Sequence, residues 1–148
     1  MKLTVLSQRV AICRMPPDVP PPDWAWYGAF CSVTRTAGEM SVVTEEANIP
    51  PGVQCSTGWR LLSVLGPLDL NLTGVLASLS EPLAGAGINI FSISTYDTDH
   101  ILVQDEKLAD AVAALQMAGN TVTGMPPAPP TLEPDSRTIN AIPVPAGF

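Results

Sequence analysis

The sequence predicts an α+β fold in which antiparallel sheets carry helices on one face, and three observations predict it. Residues 73–86 repeat apolar side chains at helical spacing, the flanking stretches 59–65 and 88–104 have strand composition, and residues 32–46 read as a weaker copy of 92–106. A length of 148 residues suits one compact domain or two small ones sharing a core. With 46% hydrophobic and only 14% charged residues, the chain has the apolar surface to build it.

Taken in order, Arg9 to Met15 alternates around Val10, Ile12 and Cys13 and reads as a strand that Pro16 and Pro17 end. Pro20, Pro21 and Pro22 leave no room for a helix before Asp23, which can cap a single turn through Tyr27. Phe30–Thr36 and Met40–Glu46 flank Ala37-Gly38-Glu39 as a hairpin, with Gly38 at the tight position. Asn48-Ile49-Pro50-Pro51-Gly52 then breaks the chain.

In the second half, Trp59–Leu65 is a strand with apolar residues on both faces. The helix 73–86 presents Val75, Leu76, Leu79 and Leu83 as one stripe; Asn71 or Thr73 can cap its start, Gly87 can close its end, and Pro82 should kink it. Ile88–Thr95 and His100–Gln104 are strands joined by Tyr96-Asp97-Thr98-Asp99. Asp105 caps a second helix bearing Leu108, Ala111, Val112 and Leu115, Gly119 ends it, and 120–123 closes as a strand. The order is β-α-β-β-α-β, the split βαβ or ferredoxin-like plan.

A shift of sixty residues lays 32–46 on 92–106 without a gap, and a shift of fifty lays Val10–Met15 on Arg60–Leu65. The chain therefore divides into a helix-poor, degenerate unit at 1–58, a complete unit at 59–124 and a Pro-rich, irregular tail at 125–148, where seven of 24 residues are proline.

Charge and cysteine usage narrow the function. The net charge of -7 argues against nucleic acid, which needs clustered Lys and Arg. No apolar run reaches the roughly 20 residues of a membrane span, so the expectation is a cytoplasmic protein with no membrane partner. Cys13, Cys31 and Cys55 lack metal or disulfide spacing and read as buried thiols. Neither a cofactor fingerprint nor a nucleophile motif occurs, and His100, the only histidine, reads as structural or solvent-facing; no catalytic residue, cofactor or metal is expected.

Candidate binding residues lie in two loops. The first runs from Asp69 into the helix, where the backbone N–H groups of Leu72, Thr73 and Gly74, ahead of Val75, can hold a carboxylate, and Gly74 admits close approach. The second offers Asp97 and Asp99 with the hydroxyls of Thr95, Tyr96 and Thr98 for an ammonium or guanidinium group. Between Arg60 and Lys107 there is no basic residue, whereas Asp69, Glu81, Asp97, Asp99, Asp105 and Glu106 all fall there. A zwitterion with a cationic end satisfies both loops. The plainer alternative is that Asp97 and Thr98 make an Asx-type turn and Asp69 caps its loop.

Gly66-Pro67-Leu68-Asp69, Leu72-Thr73-Gly74-Val75-Leu76-Ala77, Ala86-Gly87-Ile88-Asn89-Ile90 and Ser94 through Val103 resemble an ACT domain. More narrowly, the chain is similar to small bacterial proteins with tandem ACT units, mostly of unassigned function, that are related to cytosolic arginine sensors. The resemblance is strong over Trp59–Gly119, weaker over Val10–Gly58, and does not reach the tail. It implies a non-catalytic, regulatory protein that binds an amino acid, a basic one among the options, at the interface between units, with positions 72–75 and 95–99 near the ligand. It also implies a homo-oligomer, a dimer. The alternative is a protein-protein interaction or dimerisation module with no functional pocket.

Overall fold

A computed structural model describes residues 1–124, and the Pro-rich tail expected at 125–148 lies outside them. The elements in order are β1 (Lys2–Met15), a 3₁₀ turn (Asp23–Trp26), β2 (Cys31–Arg35), β3 (Met40–Glu45), a 3₁₀ turn (Glu46–Asn48), β4 (Cys55–Val64), α1 (Val75–Gly85), β5 (Phe91–Ser94), β6 (Asp99–Gln104), a 3₁₀ turn (Asp105–Lys107), α2 (Leu108–Met117) and β7 (Thr121–Thr123). Two compact units emerge. Among the described residues the larger comprises 1–7 and 59–124 and the smaller comprises 8–58, so β1 and β4 each give one end to either unit.

The larger unit has its helices on one face of its sheet. Leu79 and Leu83 of α1 and Leu108, Ala111, Val112 and Leu115 of α2 share one buried cluster with Leu62, Val64, Ile101 and Val103 of the strands. Trp59–Ser63 of β4 pairs antiparallel with β6, which pairs antiparallel with β5. The expected β-α-β-β-α-β order is present, with one addition. The closing strand β7 pairs in parallel with the N-terminal end of β1, Lys2–Thr4, which also neighbours β4. That end of β1 was expected to belong to the first unit; instead Leu3 and Val5 enter the helix-side core.

The helix ends follow from glycine. Gly87 is left-handed at φ 73°, the Gly87 and Ile88 N–H groups donate to the Ala84 and Leu83 carbonyls, and Ile88 and Leu83 are both buried. Gly119 ends α2 in the same way, with Asn120 N–H donating to the Leu115 carbonyl. This turn explains why the strand expected from Ile88 begins only at Phe91. Helix α1 runs from Val75 to Gly85 with Pro82, the residue expected to kink it, inside.

The side-chain caps expected at the start of α1 are absent. Gly74 stands at the N-cap of α1 in the left-handed region, and neither Asn71 nor Thr73 bonds to the helix start. Asp105 Oδ1 accepts from Nη1 of the buried Arg60 at 3.1 Å. Arg60 Nη2 also donates to the Leu6 carbonyl.

The smaller unit is built on β3, flanked by β2 and the C-terminal end of β1, with Ala11, Cys13, Ala25, Met40 and Val42 as its core. The expected hairpin is present, with β2 and β3 antiparallel, and Gly38 in its turn does not adopt positive φ. The Thr36 hydroxyl accepts from the Gly38 and Glu39 N–H groups, while Thr36 N–H donates to the Glu39 carbonyl. Of the cysteines, Cys13 is buried but Cys31 and Cys55 are only partly so.

The two hairpins share one design, offset by 59 residues and not by sixty. Arg35 pairs with Met40 where Ser94 pairs with Asp99, and the Thr36–Glu39 backbone bond recurs as Thr95–Thr98. The preceding strands correspond at 49, because Val10 faces Glu45 as Trp59 faces Gln104. The sequence alignment is therefore one residue out at both places, and in a strand one residue exchanges the faces.

Candidate functional site

The loop after β4 and the tip of the β5–β6 hairpin are tied together by backbone. Leu68 N–H donates to the Asp97 carbonyl at 2.6 Å, and the Thr98 hydroxyl donates to the Val64 carbonyl at 2.6 Å. Gly66 sits at the crossing: a Cβ there would stand 2.9 Å from the Asp97 carbonyl oxygen and 3.2 Å from Thr98 Cβ, so only glycine fits without a shift. The Gly66–Pro67 peptide bond is cis.

These loops and the start of α1 enclose a pocket of about 200 Å³ lined by Leu68, Asp69, Leu70, Leu72, Val75 and residues 94–99. That is smaller than the roughly 300–1,000 Å³ of drug-sized sites and suits a compact ligand. Eight of the ten residues expected from sequence line it: Asp69, Leu72, Val75, Thr95, Tyr96, Asp97, Thr98 and Asp99. Thr73 and Gly74 do not, although Gly74 sets the direction in which α1 starts. Leu68, Leu70 and Ser94 were missed. For Ser94 the signal was available, since it directly precedes the hydroxyl-rich turn.

The polar groups differ in how free they are. Asp69 Oδ1 accepts from Asn71 N–H at 2.9 Å and its carbonyl from Leu72 N–H, an Asx-type turn. The Leu72 amide is therefore not available to a carboxylate, a correction to the anion cradle expected from Leu72 to Gly74. The uncapped amides of Val75, Leu76 and Ala77 at the start of α1 have no intrahelical acceptor. Asp99 Oδ1 accepts from the Ser94 hydroxyl at 2.6 Å, and the Thr95 hydroxyl both donates to the Thr98 carbonyl and accepts from its N–H. Tyr96 is 80% exposed at the rim, with Leu70 and Leu72 also exposed. Three carboxylates with no basic residue between Arg60 and Lys107 make the pocket attractive to a cation.

His100 lies beside this site, not in it. It pairs across the ladder with Ser63, whose hydroxyl is 2.7 Å from the ring Nδ1. Burial lowers its pKa from 6.5 by more than the Asp99 carboxylate restores. A depressed imidazole pKa gives stability that is complete above 6.5 and is lost as the pH falls toward the folded-state value. Urea unfolding on either side of pH 6.5 is expected to show the wild type losing stability relative to His100→Gln on acidification; a pH-independent difference would contradict this.

Among the described residues no helix is long and apolar enough to cross a membrane, and no group of three or more His, Cys, Asp or Glu side chains could hold a metal ion.

Comparison with known proteins agrees with this geometry. A family model of the ACT domain matches residues 54–117, and a model of an N-terminal domain matches residues 8–52. Bovine cytosolic arginine sensor for mTORC1 subunit 1 is 36% identical over 96 residues, 60% of this chain and 29% of the sensor; the human sensor is 36% identical over 59 residues, 39% and 18%. The chain thus spans less than a third of the sensors it matches. Among solved structures, protein Atu0741 of Agrobacterium tumefaciens aligns with a TM-score of 0.79 and 35% identity, covering 85% of this chain and 94% of that one. The regulatory subunit of aspartate kinase from Thermus thermophilus shares the fold at a TM-score of 0.58 and 14% identity, covering 79% and 96%. A βαββαβ unit with helices on one face, the ACT match over 54–117 and the near full-length likeness to the Agrobacterium protein show that this chain belongs to the ACT-domain family.

Proposed function

We propose that the protein is a non-catalytic regulatory module that binds a small zwitterion, an amino acid with a second cationic group, in the pocket lined by Leu68, Asp69, Leu70, Leu72, Val75 and residues 94–99. The observation that carries this reading is the convergence of Asp69, Asp97 and Asp99 with an uncapped helix start around one small cavity. The carboxylates attract the cationic end, and the amides at the head of α1 receive the carboxylate. The similarity to arginine sensors is consistent with an amino acid as ligand, and the ligand's own identity follows from its charge pattern.

Thermal unfolding in the presence of each of the twenty amino acids tests this. A ligand at 100 times its dissociation constant adds about 2.7 kcal/mol of stability. The expected result is a clear rise in Tm with one or more amino acids carrying a side-chain cation and a smaller rise with Asp97→Asn. No change with any amino acid at millimolar concentration would overturn the reading.

The exposed Leu70, Leu72 and Tyr96 at the pocket rim favour a second reading, in which another copy of the chain covers the mouth and the protein is a dimer. Light scattering distinguishes the two: a dimer that Tyr96→Asp and Leu72→Asp dissociate, with no ligand effect, supports this alternative.

A further inference from the structure

The smaller unit holds two cysteines in one core. Cys13 is buried in β1, and Cys55, partly exposed at the start of β4, packs against the same cluster. The two strands are neighbours and run antiparallel, with Gln54 beside Arg14 and Leu65 beside Lys2. Arg14 N–H donates to the Gln54 carbonyl at 3.0 Å, which brings their chain neighbours Cys13 and Cys55 alongside one another across the two strands. Residues opposed across antiparallel strands have Cα atoms about 4.5–5.5 Å apart and side chains on one face, and Cys13 and Cys55 meet in one cluster. Disulfides span Cα separations of roughly 4.4–6.8 Å.

We propose that Cys13 and Cys55 are a redox-sensitive pair that a peroxide converts to a cross-strand disulfide, tying β1 to β4 within this unit. Burial, together with the neighbouring Cys55 side chain, holds the Cys13 thiol far above its ordinary pKa. Cys13 therefore stays protonated and shielded, and Cys55 is the sulfur that the oxidant reaches. The Cys55 thiolate attacks one peroxide oxygen, the O–O bond breaks, and hydroxide leaves behind a sulfenic acid. The Cys13 sulfur then attacks the Cys55 sulfur; the S–S bond forms, the S–O bond breaks, and the Cys13 proton departs with the hydroxyl as water. In sum, two thiols and one hydrogen peroxide give one disulfide and two waters, the sulfurs losing two electrons and the peroxide oxygens gaining them. Cys31 is outside this chemistry, because it faces Thr44 on β3.

The test treats the full chain with hydrogen peroxide under native conditions, alkylates the remaining thiols and maps unreduced peptides. The expected result is an intramolecular Cys13–Cys55 cross-link, one alkylated cysteine out of three, and a rise in Tm of several degrees that a dithiol reductant reverses. In Cys55→Ser the cross-link and the reversible rise both vanish. Three alkylated cysteines after peroxide, a cross-link through Cys31, or Cys55 oxidised to sulfinic acid without a cross-link would each overturn the proposal.

Discussion

Replacing Asp105 by alanine is expected to destabilise the protein by about 3 kcal/mol, read as a lower urea midpoint with an unchanged slope. Arg60 is charged and its side chain is only 2% exposed, whereas Asp105 is 26% exposed. The Asp105 carboxylate and the Leu6 carbonyl are its acceptors, and its Nε is buried without one. Losing the carboxylate leaves a guanidinium away from water with one acceptor in place of two. The cost is that of an uncompensated charge, which exceeds the net worth of the pair. For that reason Asp105→Ala combined with Arg60→Met is expected to recover much of the loss. A double variant as unstable as the sum of the two singles would contradict this account.

Leu83→Ala is expected to cost about 2–5 kcal/mol. Leu83 is fully buried in the cluster that joins α1, α2 and the strands. Its truncation removes apolar burial and leaves a cavity that neighbouring elements fill only partly. It also removes the apolar contact with Ile88 that accompanies the end of α1, where Ile88 N–H bonds the Leu83 carbonyl. Met117→Ala, at a side chain 90% exposed, serves as the control and should stay within about 0.5 kcal/mol of wild type. Equal midpoints for Leu83→Ala and Met117→Ala would mean that the helices do not hold the sheet as described.

Most of the larger unit was legible because its signals are local. The stripe Val75, Leu79 and Leu83, the glycines after each helix and the turn between β5 and β6 each specify structure within a few residues. What escaped is non-local. Leu3 and Val5 alternate correctly for a strand and enter the core, yet nothing near them announces that β7 will pair with Lys2–Thr4 from more than a hundred residues away. Asp105 has the composition and position of a cap, yet nothing near it announces that the buried Arg60 of β4 donates to its carboxylate. Asn71 and Thr73 are good caps in isolation; the turn that Asp69 makes delivers the chain to α1 through a left-handed residue, which Gly74 supplies without strain.

The repeat shows the same limit. Residue similarity favoured a shift of sixty, while hydrogen bonds and register give 59, because the matching of side-chain types does not see which face of a strand is buried. The candidate site was legible as two acidic, hydroxyl-bearing loops, and their meeting depended on Gly66 and on the Leu68–Asp97 bond. The aliphatic lining from Leu68 and Leu70 was invisible for the same reason: neither residue carries a polar signal, and only the closure of the loop places them there.

The most direct test of the binding claim is a titration of the isotopically labelled chain with the amino acid that raises Tm most, followed by backbone amide NMR. The account predicts saturable shifts concentrated in residues 68–77 and 94–99, strongly reduced in Asp97→Asn. Saturable shifts confined to residues 8–58, or shifts unchanged in Asp97→Asn, would contradict it.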